Sequence, residues 1–215
     1  MLFYDSFGMN PRMVRFYLDE KNLKPDRISV DIFGLENRKE PYLGKNPSGQ
    51  TPLLELDDGF CLSETAAICE YLEELNPDPP LIGSTPRERA ETRMWWRRVE
   101  INICLPLVYG FYFDEGYEIF KDRTHCPRDA AKGMKERAQK GMEWLDPLLD
   151  GRTWIAGDRF TMADICLYVY IDAVRDVNQP MPEGCDNLSG WFHRVQARPA
   201  AGKSQMLKTD FGLVG

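Results

Sequence analysis

The chain has 215 residues, 43% of them apolar and 28% charged, the balance of an ordinary globular protein and not of a disordered or fibrous one. That length suits one large or two small domains. With 34 acids against 27 bases the net charge is -7, so the molecule as a whole repels nucleic acid and anionic lipid, and neither is expected as a partner.

The opening dozen residues hold Asp5 and no basic start ahead of a long apolar stretch, so they do not read as a secretion signal. The longest strongly apolar run, 165–171, is too short to cross a bilayer. A soluble, cytoplasmic chain is expected. Its six cysteines (Cys61, Cys69, Cys104, Cys126, Cys166, Cys185) are scattered, with no CxxC pair and only His125 and His193 as imidazoles. They read as reduced structural thiols, and no metal site is expected.

An apolar run over 1–4 opens a strand. Pro11, a residue favoured in the first turn of a helix, then precedes Val14, Tyr17 and Leu18 at helical spacing. Ile28, Val30 and Ile32 alternate with polar residues, the period of a half-buried strand. A polar loop over 34–40, with room for a short helix, leads to the turn formers Asn46, Pro47, Ser48 and Gly49. Residues 53–56 and 60–62 read as two strands around the Asp57-Asp58-Gly59 turn. Ser63 offers an N-cap to a helix over 64–75, with Ala67, Ile68, Tyr71, Leu72 and Leu75 on one face. The opening unit is therefore βαβ, a loop, then ββα.

Asn76-Pro77-Asp78-Pro79-Pro80 sustains no regular structure and reads as a linker. Helical patterns follow over 87–103, with Pro106 expected to bend or end that segment, and over 129–149, 162–176 and 188–197. No strand period appears beyond Gly83, so the second domain is expected to be all α. Thr161 and Asp164 fit a variant capping box and mark architecture. The expected division is a first domain over 1–76, a linker over 77–84 and a helical domain over 85–215.

This order of elements carries Asn46-Pro47-Ser48-Gly49-Gln50-Thr51-Pro52-Leu53-Leu54-Glu55-Leu56, then Leu62-Ser63-Glu64-Thr65-Ala66-Ala67-Ile68. It resembles the α/β thioredoxin-like domain of cytosolic glutathione transferases, a mixed four-stranded sheet joined to an all-α domain. The match spans nearly the whole chain and includes the Pro-rich linker and Gly157-Asp158-Arg159-Phe160-Thr161-Met162-Ala163-Asp164, similar to that family's capping-box segment. Gly8-Met9-Asn10-Pro11-Arg12-Met13-Val14-Arg15 is nearest to its theta-like bacterial and fungal branch.

The resemblance implies a transferase using glutathione as co-substrate, a cis bond at Thr51-Pro52, and a role for Leu53, whose backbone would pair with the cysteinyl residue. It implies that Glu64 and Thr65, at a helix start that itself favours a carboxylate, receive the γ-glutamyl zwitterion. Arg38 and Lys39 would meet the glycyl carboxylate, and Met9, Gln50, Thr51 and Pro52 would complete the tripeptide site. An electrophile pocket is implied around Phe7, Tyr109, Tyr112 and Phe113, for a small apolar substrate. It also implies a homodimer, in which the helix with Trp95, Trp96, Arg97 and Arg98 carries residues that interfaces favour.

One departure weakens this picture. A thiol of ordinary pKa near 8.5 needs a fall of about two units, or about 2.7 kcal/mol, to be useful at neutral pH. A helix N-terminus supplies about 0.3–1 kcal/mol, and a hydrogen bond to a charged acceptor about 1.5–3 kcal/mol. Most family members place a Tyr, Ser or Cys before the first helix to make that bond, and here the stretch reads Gly8-Met9-Asn10-Pro11. Three donors remain: Asn10 first, then Ser6 from the loop and Tyr4 at the strand end. The missing hydroxyl gives weight to an alternative, a catalytically silent binding or assembly module. A dithiol oxidoreductase is disfavoured, because no thiol precedes Cys61.

Overall fold

The computed structural model describes residues 1–205, which form two compact units. The first comprises Met1–Pro80 and, among the described residues, 198–205; the second is Leu81–Ala197. The division falls between Pro80 and Leu81, and the described residues 198–205, expected in the helical domain, group with the first unit. Arg198 grips Glu20 through two bonds of 2.8 and 2.6 Å, and Arg15 holds the carbonyl of Ser204 at 3.0 Å, so this segment is tied to the first unit. Residues 206–215, also assigned to the helical domain from sequence, lie outside the described residues.

The first unit contains β1 (Leu2–Asp5), α1 (Met9–Glu20), β2 (Asp26–Ser29), a 3-10 turn at Glu36–Arg38, α2 (Tyr42–Lys45), β3 (Leu53–Glu55), β4 (Cys61–Ser63) and α3 (Thr65–Leu75). The strands lie in the order β2-β1-β3-β4. β1 runs parallel to β2 and antiparallel to β3, with Tyr4 opposite Leu53, and β3 runs antiparallel to β4, with Leu53 opposite Ser63. Two reversals leave β1 and β4 pointing the same way. The helices that follow them, α1 and α3, therefore start at one edge of the sheet, and β3 starts there too.

Side chains alternate across this sheet. Tyr4, Val30, Tyr42 and Leu53 cluster on one face, with Leu2, Ile28 and Cys61 against them. Phe3 and Asp5 point the other way, where Asp5 meets Arg15 of α1. The second strand ends at Ser29, earlier than its alternation predicts, while Val30 stays buried and donates its N–H to Asp5.

The second unit contains α4 (Pro86–Val99), α5 (Leu105–Phe113), α6 (Tyr117–Phe120), α7 (Ala131–Leu145), α8 (Met162–Val174) and α9 (Asp186–Gln196), while the short α10 (Pro199–Lys203) belongs to the first. Pro106 does not end the first of these helices. A π-helical stretch, Glu100–Cys104, joins α4 to α5, opening the ladder where the proline ring would otherwise meet the carbonyl of Asn102. That stretch lies close against α7: a Cβ on Gly141 would collide with the Asn102 carbonyl. Cys104 and Cys166, on the π stretch and α8, are buried with sulfurs 3.8 Å apart, and all six cysteines are unbridged. Among the described residues no helix is long and apolar enough to cross a membrane.

The Thr161–Asp164 capping box forms at the head of α8 and does more than cap. Fully buried Asp164 accepts from the N–H groups of Thr161 and Ile155, each at 2.9 Å, and from the Trp191 indole at 2.8 Å. A second box, Thr85 with Glu88, starts α4. Removing the Asp164 carboxylate strands several buried donors, each costing about 1–3 kcal/mol. Asp164→Ala is expected to lower unfolding free energy by at least about 3 kcal/mol, read from urea denaturation monitored by circular dichroism.

Candidate glutathione site

Three segments meet at the sheet edge where α1, α3 and β3 begin. The first is the start of α1, reached through the short loop from Ser6 to Gly8. Gly8 turns the chain at φ 140°, no side chain caps this helix, and its first turn carries no acid. Pro11 has no N–H to offer, so the amides of Met9 and Asn10 are the donors of this turn. The second is the start of α3. Its N-cap is Glu64, not Ser63, which ends β4, and Glu64 is exposed with φ 70° and ψ 121°. A side chain other than glycine at positive φ is held there at a cost, a feature that collects at binding sites. The two helix starts adjoin: the Thr65 hydroxyl lies 3.5 Å from the carbonyl oxygen of Asn10.

The third segment is the turn into β3. The Thr51-Pro52 bond is cis, as expected, and cis bonds also occur at Glu40-Pro41 and Asp78-Pro79. Its approach is fixed by polar bonds to the backbone. The Gln50 carbonyl accepts from the Tyr42 hydroxyl at 2.7 Å and the Asn46 amide at 2.8 Å, and the Asn37 amide donates to the Gly49 carbonyl at 2.6 Å. Gly49, at φ 59°, has no room for a Cβ, which would lie 2.9 Å from Arg38 Cδ and 3.0 Å from the Asn37 carbonyl. Burial raises the Tyr42 pKa to about 12, so it stays a donor. Thr51 then reaches across, its Oγ1 lying 2.6 Å from Ser6 Oγ.

The three candidate donors have different fates. Tyr4 points to the α2 side of the sheet, away from α1, and donates its proton to Glu55 at 2.6 Å; Lys45 holds that carboxylate at 2.8 Å. Burial, and then the Glu55 bond, push the Tyr4 pKa up. Ser6 is fully buried and engaged with Thr51. Asn10 is exposed as the second residue of α1. Of the proposed carboxylate partners, Arg38 donates to the Ser48 carbonyl at 3.3 Å and Lys39 to the Gly34 carbonyl at 2.9 Å, both on the loop that carries the cis turn. Gln50 and Glu64 are exposed, Met9 and Thr65 half-buried, and the Leu53 side chain lies in the sheet core. Sequence reasoning missed the supports Asn37, Asn46 and Arg15. The one signal for Arg15 was a charge flanked by Val14 and Phe16.

Residues 9–75 match the model of the glutathione S-transferase N-terminal domain, and 113–199 that of the glutathione S-transferase C-terminal domain. Glutathione S-transferase 2 of Saccharomyces cerevisiae is 34% identical over 208 residues, spanning 94% of this chain and 88% of that protein. The chain belongs to the glutathione S-transferase family.

Among solved structures of this family, a glutathione S-transferase domain-containing protein of Marinobacter aquaeolei VT8 superposes with a TM-score of 0.88 at 36% identity, covering 94% of this chain and 100% of that one. Gtt2 of Saccharomyces cerevisiae gives 0.86 at 32% identity, covering 95% and 100%. Taken by itself, the helical unit of this family member packs most of its candidate pocket aromatics inward. Tyr112 stacks on Phe120 with centroids 3.6 Å apart, and its burial raises the hydroxyl pKa to about 12. Phe113 is buried and stacks on Tyr109, which stays 39% exposed. In the first unit, Phe7 rests against Phe33 at 5.9 Å.

The positive φ of Glu64 gives a test of strain held at the site. Glu64→Gly and Glu64→Ala both remove the carboxylate, but only glycine adopts this backbone freely. The glycine variant is expected to be more stable than the alanine variant by about 1 kcal/mol in thermal unfolding.

Proposed function

We propose that this glutathione transferase holds its tripeptide across the edge where α1, α3 and β3 begin, with the sulfur at the first turn of α1. The observation that carries the reading is the convergence of two uncapped helix N-termini on one cis-proline turn. In it the γ-glutamyl carboxylate takes the amides at the start of α3 with the Thr65 hydroxyl, and Glu64 accepts from the γ-glutamyl ammonium. The backbone of Leu53 pairs with the cysteinyl residue beside Met9, Gln50, Thr51 and Pro52. Arg38 and Lys39 stand toward the glycyl carboxylate.

The thiol loses its proton to solvent, and the thiolate is held by the Met9 and Asn10 amides with the Asn10 side-chain amide as the added donor. The anion then attacks a small apolar electrophile, forming a C–S bond as the leaving group departs with its electron pair or as an activated double bond takes that pair up. Asn10 leads because it is exposed in the first turn of α1, whereas Tyr4 points to the opposite face of the sheet and Ser6 is fully buried. The enzyme is read as a cytoplasmic homodimer of the theta-like branch that acts in detoxification. The silent-module alternative is not favoured, because similarity to a transferase runs along nearly the whole chain.

Glu64→Ala is expected to weaken glutathione binding by about 1.5–3 kcal/mol in calorimetry, the range for a charge-assisted bond. Unchanged affinity would remove Glu64 from the site. Asn10→Ala is expected to cut turnover about tenfold, with affinity for glutathione kept. Because an amide donor stabilises a thiolate less than a charged one, the activity of the wild type should keep rising with pH through neutrality, and a plateau below neutral pH would contradict it. Tight binding of glutathione without turnover on a broad electrophile panel would establish the silent module instead.

A further inference from the structure

Beneath the sheet edge lies a charged side chain that the reading above gives no role. Arg15 on α1 is only 2% exposed, and its guanidinium serves three separate parts of the first unit. Nη1 donates to Asp5 Oδ1 at the end of β1 at 2.5 Å and to the Ser6 carbonyl at 3.0 Å, while Nε donates to the Ser204 carbonyl beyond α10 at 3.0 Å. The same Asp5 oxygen accepts from the Ser6 N–H at 2.9 Å, closing a ring of bonds around Ser6. Ser6 in turn reaches Thr51 of the cis turn. Both backbone groups of the first loop residue are thereby held from below, and its side chain from the side.

Stability alone is a weak account of this arrangement. Burying a carboxylate and a guanidinium sacrifices their hydration, and well-packed apolar residues commonly serve as well or better. What apolar residues cannot do is fix a loop carbonyl and amide in direction. The planar fork of arginine can, from separate nitrogens held in one rigid plane, whereas the three donors of lysine radiate from one nitrogen on a flexible stem. Arg12, Asp19 and Arg27 also act electrostatically at this corner, Arg27 lying 3.9 Å from the second Asp5 oxygen.

We infer that Arg15 is a positioning residue for the sulfur site: through Asp5 and Ser6 it sets the loop from which α1 begins, and so aims the first-turn amides and Asn10. This rests on the proposed placement of the sulfur at α1, and the test separates the two. The full chain is compared with Arg15→Lys, which keeps the charge opposite Asp5, and with the double variant Asp5→Asn/Arg15→Gln, which leaves no buried charge unpaired should the first fail to fold. Three quantities are measured: affinity for S-methylglutathione, which has no thiol; the ultraviolet thiolate absorbance of bound glutathione against pH; and turnover.

Both variants are expected to bind S-methylglutathione as the wild type does, to carry about tenfold less thiolate at a fixed pH below the thiol pKa, and to lose turnover by about 10- to 100-fold. A fall in melting temperature with the wild-type thiolate titration kept would make Arg15 merely structural and overturn the inference. Loss of S-methylglutathione affinity in step with turnover would overturn it as well. No thiolate signal from wild type saturated with glutathione would sink the sulfur placement itself, whatever the variants do.

Discussion

The direction of the strands is the constraint on which the rest of the first unit depends. β1 and β4 point the same way because each is antiparallel to β3, and this brings the starts of α1 and α3 to the edge where β3 begins. Two helix N-termini without side-chain caps and one proline turn then lie at the same edge. The polar bonds beneath them, from Asn37, Asn46, Tyr42 and Ser6, fix backbone rather than ligand. In the proposed site, main-chain groups are held in place before the tripeptide arrives, which lowers the ordering cost of binding.

The proposed placement of the sulfur also accounts for a transferase without the usual hydroxyl. A helix N-terminus contributes about 0.3–1 kcal/mol toward an anion, less than thiol activation needs, and no acid in the first turn of α1 competes for it. In the proposed mechanism the remainder falls to the Asn10 amide and to the accuracy with which the loop presents it. Where the donor is weak, orientation matters more. Backbone strain likewise holds Glu64 at the head of α3, as an N-cap whose side chain makes no capping bond to its own helix.

Much of this was legible in the sequence, and the limits have physical causes. Alternation and helical spacing reveal which residues are buried together, so the βαβ-ββα order and the helical second unit could be read, as could the Thr161–Asp164 box. The Thr85–Glu88 box was equally readable, since both partners lie within one turn. Local pattern does not reveal what two distant segments do to each other. The continuation of the helix past Pro106 depends on a π stretch packed against Gly141 of another helix. The return of the chain at Arg198 depends on Glu20 and Arg15, far away in sequence. Glu64 as N-cap was hidden because nothing in the letters Ser-Glu-Thr announces a positive φ. The contacts of Tyr4 with Glu55 and of Ser6 with Thr51 likewise join residues far apart in the chain.

The most direct test of the account is a crystal structure of the protein with glutathione bound. The account predicts the sulfur within hydrogen-bond reach of the Met9 or Asn10 amides and of the Asn10 side chain, directly or through one water, with the γ-glutamyl group at Glu64 and Thr65. A sulfur held instead by the hydroxyl of Tyr4 or Ser6, or a tripeptide seated away from the start of α3, would contradict it.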